Sequence, residues 1–587
     1  MSAAARELAA PEVRPEREWV IAAAHPDVER LSRAAHVDLL LAQLLLNRDV
    51  TTADACSAFL SPRLADLQPA ARLPNAERAA ERLLAARRSG KRIVIYGDYD
   101  VDGITATTIL WHVLTLAGAQ VDYYIPSRLD EGYGVNGDAL EQIAAGGAGV
   151  VVTVDCGVTA IDEAERARQL GLELIITDHH EPAATLPDAL IVHPTACGES
   201  PNPNLSGAGV ALKVAWAIAQ QAGGAARVSS EFRDALVDAT ALAALGLVAD
   251  VVPLVGENRI IASFGLRQLQ KTRNNGLRAL IDVAGLAGKR SYDEYDVGFR
   301  LAPRLNAIGR MGHAREAVEL FTRADEARAK EIASELDRHN RERQGVEREI
   351  VDQAIEMVRA RGFDRDGCRG IVLASENWHA GVIGIVASRL VDRFGRPTVL
   401  IALENGAGQG SGRSIPHFPL HEVLNACDEH LISHGGHAMA AGVKVAADKV
   451  DAFTHAFQAE AAQRLTSRDL VRKLRIDDEI SLAQMTPELI DAVRLMQPFG
   501  AGNPRPMLAS GPLELAEPPR AVGATGAHLS FTAREGSTYR RAIAFGRGAR
   551  LQELAERGPF RLAFEPIINE WNGRRKVELK VTDWQFV

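Results

Sequence analysis

From Lys91 onward, apolar runs alternate with alanine-rich helical stretches: RIVIY, ITATTILWHVLTLAG, VDYYIP, DALEQIAAG, GVVVTVD, AIDEAERARQLG, LELIITD. Short apolar runs separated by amphipathic stretches predict a parallel sheet with helices on its faces. The block to about residue 315 reads as one α/β domain. No proline occurs between Pro303 and Pro397, and the stretch from DEARAKEIASELD to DQAIEMVRARG is charged and periodic, with Gly345 as its one interior glycine. That pattern predicts a long, partly exposed connecting helix. A second α/β block runs from about 368 to 465, with GIVLAS and TVLIAL as strands and GVIGIVASRLVDRFG as a helix.

Beyond about residue 470 the pattern changes to short strand-like runs, HLSFTA, RRAIAF, FRLAFEP and KVELKVTDW, with an Asn-Gly hairpin signal in EWNGRRKVELKV. A small β-barrel of the OB type fits that length and pattern. Residues 1 to about 50, broken by Pro11, Pro15 and Pro26, read as an arm with short helices.

Composition narrows the class. At 587 residues, 47% hydrophobic and 24% charged, the chain is a multidomain globular protein and not a disordered, fibrous or disulfide-scaffold one. Five scattered cysteines without a CxxC argue against a structural zinc site and for a reducing, cytoplasmic setting. No apolar run approaches the length of a membrane span. A net charge of -9 excludes bulk attraction to nucleic acid but not a local groove, and metal-holding acids would themselves make the total negative.

Those acids sit at strand ends. IVIYGDYDVDGITA places Asp98, Asp100 and Asp102 two apart after an apolar strand, which in extended chain brings three carboxylates to one face. GVVVTVD ends in Asp155, LELIITD in Asp178, followed by His179 and His180, and Asp250 follows a helix-like run. A single strand-end aspartate most often caps a turn. The whole set, at the carboxyl ends where parallel sheets bind ligands, predicts a cation site. Mixed carboxylate and imidazole ligands suit Mn²⁺ or Mg²⁺, and five or six of them suffice for two ions about 3.5–4 Å apart, the arrangement for hydrolysing a phosphodiester.

DYDVDG, VDCG, TDHHEP, ALGLVADVVPL and LAPRLNAIGRMG stand here in the order seen in the DHH phosphoesterase superfamily, and GGHAMAAG is similar to the signature of the associated DHHA1 domain. With the long helix and the C-terminal barrel, the layout resembles the bacterial RecJ family of single-strand-specific 5′ to 3′ DNA exonucleases over about residues 50–587. After the arm (1–50) read from its prolines, the resemblance implies a DHH catalytic α/β domain with a parallel sheet (51–315), a connecting helix (316–365), a smaller α/β DHHA1 domain (366–465) and an OB-like β-barrel (466–587). It implies that Asp100, Asp102, Asp155, His179 and Asp250 ligate two metal ions, Mn²⁺ or Mg²⁺, with Asp102 or Asp155 bridging and Asp98 joining or supporting the shell. Other branches carry a ligand histidine where this chain has Tyr96. His180 is implied to face the scissile phosphate and Asp178 to orient a neighbouring imidazole. Alanine at Asp102, Asp155 or His179 is expected to abolish hydrolysis and leave the fold intact.

Phosphate-holding features are read alongside. GQGSGRS offers backbone N–H groups beside Ser411 and Arg413, suited as a Gly-rich loop to a terminal phosphate, and the resemblance joins Arg128 and Arg310 to that pocket. Arg304, beside Asn306, is a further candidate for a backbone phosphate, and His437, read at a helix start, for an anion site. Arg540, Arg541, Trp571, Arg574, Arg575 and Lys576 interleave charge with an aromatic, as a sequence-indifferent single-strand groove requires. SGAGVALK lacks the GK[ST] ending of a nucleotide loop and reads as close helix packing. The expected function is a metal-dependent exonuclease that releases 5′ mononucleotides from single-stranded DNA in recombination and repair, as a monomer, alongside a single-strand-binding protein and a RecQ-type helicase. The alternatives are a DHH phosphodiesterase of short oligonucleotides or cyclic dinucleotides, and a non-catalytic Cdc45-like DNA-tracking subunit.

Overall fold

The computed structural model describes residues 17–127, 131–223, 228–311, 314–571 and 573–587. They form two compact units: Ser57–Arg343 with Met496–Pro504, and the segment ending at Cys56 with Gln344–Leu495 and Arg505–Val587.

The first unit is built on a five-stranded parallel sheet. Its strands are β1 (Arg92–Gly97), β2 (Val121–Tyr124), β3 (Ala148–Val154), β4 (Glu173–Thr177) and β5 (Leu190–Val192), in the order β2-β1-β3-β4-β5. Buried on both faces, β1, β3 and β4 are near-continuous apolar runs. The order reverses beside β1, and at such a switch point the connections leave to opposite faces and open a crevice beyond the carboxyl ends. Helix α1 (Val101–Leu116) follows β1 and is apolar nearly all round, so it must be covered on all sides. It packs against α2 (Gly207–Ala222) and α3 (Ser230–Ala249), and α3 packs against α4 (Gly256–Leu269). A run through Glu294–Asp296 and a π-helical stretch, Val297–Leu301, leads into α5 (Ala302–Met311).

Helix α6 (Glu326–Ala360) is the long helix read in the sequence, 35 residues with Gly345 inside it. The second unit carries a mixed sheet of β6 (Ile371–Ser375), β7 (Thr398–Glu404), β8 (Ala407–Arg413), β9 (Ser433–Gly436) and β10 (Ala440–Ala446), in the order β9-β10-β8-β7-β6. Two sequence expectations are corrected here. The Gly-rich stretch read as a loop is strand β8, paired on both sides. Its glycines let strands and core close in, because a Cβ on Gly408 or Gly410 would come within 2.5 Å of Ile401 or Val443. His437 opens no helix: it lies in the β9–β10 hairpin, where its N–H donates to Ala440 O at 2.8 Å.

The C-terminal region is an eight-stranded sheet dominated by β11 (His528–Glu535), β12 (Thr538–Ala544), β13 (Phe560–Trp571) and β14 (Arg574–Phe586). The β13–β14 hairpin pairs Trp571 with Arg574, and Gly573 takes φ +73°, as the Asn-Gly signal requires. The N-terminal strand Glu18–Ile21 pairs in parallel with Lys473–Ile476, so the arm is tied into this unit. No helix of the described residues is long and apolar enough to cross a membrane.

Candidate metal centre

The acids converge by a route other than the one their spacing suggests. The strand ends at Gly97, Asp100 becomes the N-cap of α1, and Asp102 lies in that helix's first turn. Asp100 Oδ1 accepts the N–H groups of Asp102 and Gly103 at 2.9 and 3.1 Å. A strand-to-helix switch, not one face of an extended strand, therefore gathers the three. Asp155 follows β3 and holds a left-handed φ of +63°, which turns its carboxylate back over the strand ends. His179 follows β4, and Asp250 caps the C-terminus of α3.

Three overlapping ligand groups result among the described residues, Asp98–Asp100–Asp155, Asp102–His179–Asp250 and Asp155–His179–His180, each with its ligand atoms within 4.8 Å of one another. His179 joins them: its Nε2 lies 3.0 Å from Asp155 Oδ1, 3.7 Å from Asp102 Oδ2 and 3.6 Å from Asp250 Oδ2. Although both are buried, neither His179 Nε2 nor Asp155 Oδ1 makes a hydrogen bond. Burial, then Asp100, pushes Asp102 up to about 7, while burial, then Asp102 and Asp100, pushes Asp250 up to about 8. Burial, then Asp102, raises Asp155 well above the carboxylate range, and burial, then His180, lowers His179 to about 4. Desolvated carboxylates around an unprotonated imidazole are the donor set of a divalent cation, whose charge relieves their repulsion. The residues present fit Mn²⁺ or Mg²⁺.

His180 is set beside this cluster. Its Nδ1 lies 2.8 Å from Asp178 Oδ1 and 3.0 Å from the Tyr133 hydroxyl. Burial acts to lower His180, but the Asp178 hydrogen bond outweighs it and raises the imidazole to about 9. Asp178 also accepts the N–H groups of Val158 and His179, at 2.9 and 2.7 Å, so it orients the whole turn. His193 Nδ1 accepts the N–H groups of Thr195 and Ala196, which leaves its Nε2–H to donate to His180 O at 2.8 Å. Tyr96 is core: its ring stacks on Tyr124 and its hydroxyl donates to Gly134 O at 3.1 Å. Cys156 is buried.

Several residues that build the centre escaped the sequence reading. Asp102 accepts Ser206 Oγ at 2.9 Å and the N–H groups of Gly207 and Ala208 at 2.6 and 3.0 Å, so its carboxylate sits on the N-terminus of α2. SGAGVALK is therefore close helix packing, as expected, but the packing is against the ligands. A Cβ on Gly207 would stand 2.5 Å from Asp155 Oδ1, and one on Gly246 would overlap Asp102 Oδ1. Tyr133 and His193 were missed as well.

The phosphate candidates are placed as follows. Asn306 Oδ1 accepts the N–H of Val101 at 3.2 Å and so anchors the Asp100–Asp102 turn. Arg304 Nη2 lies 2.9 Å from Asp337 Oδ1, an ion pair within the first unit. Arg413 donates to Ser411 Oγ at 3.0 Å, both on β8. Met485, Thr532, Tyr539, Arg540, Arg574 and Lys576 line a groove of about 880 Å³ on the C-terminal sheet, while Arg575 pairs with Asp491 at 2.6 Å. Arg128 lies outside the described residues, as do the side chains of Arg310 and Trp571.

The fold and this centre define a DHH-type phosphoesterase. Residues 92–243 match the DHH family N-terminal domain, 368–463 the DHHA1 domain and 476–583 the RecJ OB domain. The single-stranded-DNA-specific exonuclease RecJ of Bacillus subtilis is 39% identical over 95% of this chain and 70% of its own length. That of Haemophilus influenzae is 32% identical over 95% of this chain and 96% of its own. The crystal structure of Thermus thermophilus RecJ with Mn²⁺ superposes with a TM-score of 0.82 at 31% identity, covering 97% of this chain and 79% of that one. The chain belongs to the RecJ family.

Proposed function

We propose that this protein is a metal-dependent exonuclease that degrades single-stranded DNA in the 5′ to 3′ direction to 5′ mononucleotides. The observation that carries the reading is that the ligand groups Asp98–Asp100–Asp155 and Asp102–His179–Asp250 are joined through His179 and Asp155. Asp98, Asp100 and Asp155 would hold one divalent cation, and Asp102, His179 and Asp250 the other. Bound there, such cations supply the Lewis acidity that activates water and offsets charge on the phosphate, so no protein nucleophile is needed. Asp178 and Tyr133 engage His180 Nδ1 and leave Nε2 as the group for a phosphate oxygen. Asn306 holds the Asp100–Asp102 turn in register.

Ser411 and Arg413 are assigned to the 5′-terminal phosphate. The groove with Tyr539, Arg540, Arg574 and Lys576 is assigned to the strand beyond, where ring faces stack on any base and cations follow the phosphates. The proposed setting is recombination and repair in a bacterial cytoplasm, with the enzyme acting as a monomer beside a single-strand-binding protein and a RecQ-type helicase. The test compares turnover of a long single strand, a dinucleotide and a cyclic dinucleotide, in Mn²⁺ and in chelator. Preference for the long strand, lost in chelator, is expected. Preference for either dinucleotide would favour the short-substrate phosphodiesterase, and no turnover of any of them the DNA-tracking subunit.

A further inference from the structure

The segment Met496–Pro504 belongs to the catalytic unit, although the chain on either side of it belongs to the other. Arg259, on α4, is 2% exposed and holds it. The guanidinium donates through Nη1 to Met496 O at 2.8 Å and Pro498 O at 3.3 Å, through Nη2 to Gln497 O at 2.8 Å, and through Nε to Phe59 O at 2.8 Å. It lies 3.9 Å from the centre of the Phe59 ring. Asn503 is fully buried and donates through Nδ2 to the same Met496 and Pro498 carbonyls, both at 2.8 Å. Backbone bonds of 2.8 and 3.1 Å between Gly500 and Asn503 close the strap's tip.

That tip rests on the turn after Asp250. The N–H of Leu254 donates to Ala501 O at 2.8 Å. A Cβ on Gly500 would come within 2.8 Å of Leu254, and one on Gly502 within 3.1 Å of Val255 and 3.2 Å of Pro253. From the other side Asn258 donates to Pro253 O at 3.0 Å. Next to Asp250 stands Val251 at φ +62°, a left-handed conformation that a β-branched residue holds only when its surroundings impose it. Val251 is 67% exposed, so its own packing does not impose it. The clamp on Pro253–Val255 begins two residues further on.

We propose that the strap Met496–Pro504, locked by Arg259 and Asn503, is a positioning element of the metal centre: it imposes the left-handed turn at Val251 and so fixes Asp250 beside Asp102 and His179. Arg259 and Asn503 touch neither cation nor substrate and are positioning residues. The inference rests on Asp250 being a metal ligand. It also couples the centre to the C-terminal half of the chain, since removing residues from about 470 onward takes away the strap together with the OB sheet.

Mn²⁺ binding to the full chain without DNA, followed by calorimetric titration beside thermal melting, tests this. Wild type should show two binding events. Asn503→Ala and Arg259→Lys should weaken one of them by about tenfold and spare the other. Adding Val251→Gly to Asn503→Ala should restore the weakened event, because glycine takes a left-handed turn without strain, whereas a general loss of stability would not be repaired there. Unchanged binding in both single variants, equal weakening of both events, or no recovery with Val251→Gly would overturn the proposal. If Asp250→Ala itself keeps both events, the ligand assignment beneath it fails instead.

Discussion

The backbone N–H of Gly207 donates to Asp102 Oδ2 at 2.6 Å, so one carboxylate serves both the ligand cluster and the start of helix α2. Asp102→Ala leaves that donor, the N–H of Ala208 and the Ser206 hydroxyl without their acceptor in a buried site. For Asp102 the expectation that alanine leaves the fold intact is therefore revised to a loss of stability. Asp102→Ala should lower metal-free stability by about 1–3 kcal/mol in urea denaturation and abolish hydrolysis. Asp155→Asn should abolish hydrolysis with metal-free stability equal to or above wild type. Its Oδ1 makes no hydrogen bond, its neighbours repel it, and asparagine tolerates φ +63°.

Gly246→Ala and Gly207→Ala should each cut kcat by about 100-fold, because the added Cβ displaces Asp102 or Asp155 from the position that holds a cation. Steady-state kinetics beside circular dichroism checks this, with a native spectrum expected for both.

The strands and the acids at their ends were legible because apolar runs and their termini are local signals. Asp98, Asp100 and Asp102 do come near other ligand atoms, but not on one strand face, since spacing two apart does not reveal that a helix begins at Val101. Strand β8 reads as a loop because its glycines answer to Ile401 and Val443, which only the paired sheet brings near. Gly207, Gly246, His193 and the strap were illegible for the same reason: each acts through a close approach or a carbonyl contact far away in sequence.

Arg413→Ala should remove any advantage of a 5′-phosphorylated strand over a 5′-hydroxyl one. Loss of a charge-assisted contact of about 1.5–3 kcal/mol would appear as a higher KM on phosphorylated ends. Competition between the two substrates measures it.

Arg574→Ala and Lys576→Ala should each flatten the dependence of log K on log salt for long single strands by about 0.7 and leave turnover of very short oligomers unchanged. The groove they line shares no residue with the ligand groups. Fluorescence anisotropy across a salt series reads the slope.

The direct measurement of polarity and metal dependence is a time course on one single strand labelled at its 5′ or its 3′ end, with duplex as control, in Mn²⁺ and in chelator. A two-cation 5′ to 3′ exonuclease releases the 5′ label as mononucleotide from the earliest times, shortens the 3′-labelled strand progressively, spares duplex and stops in chelator. Early release of the 3′ label, equal attack on duplex, or hydrolysis that persists in chelator would contradict it.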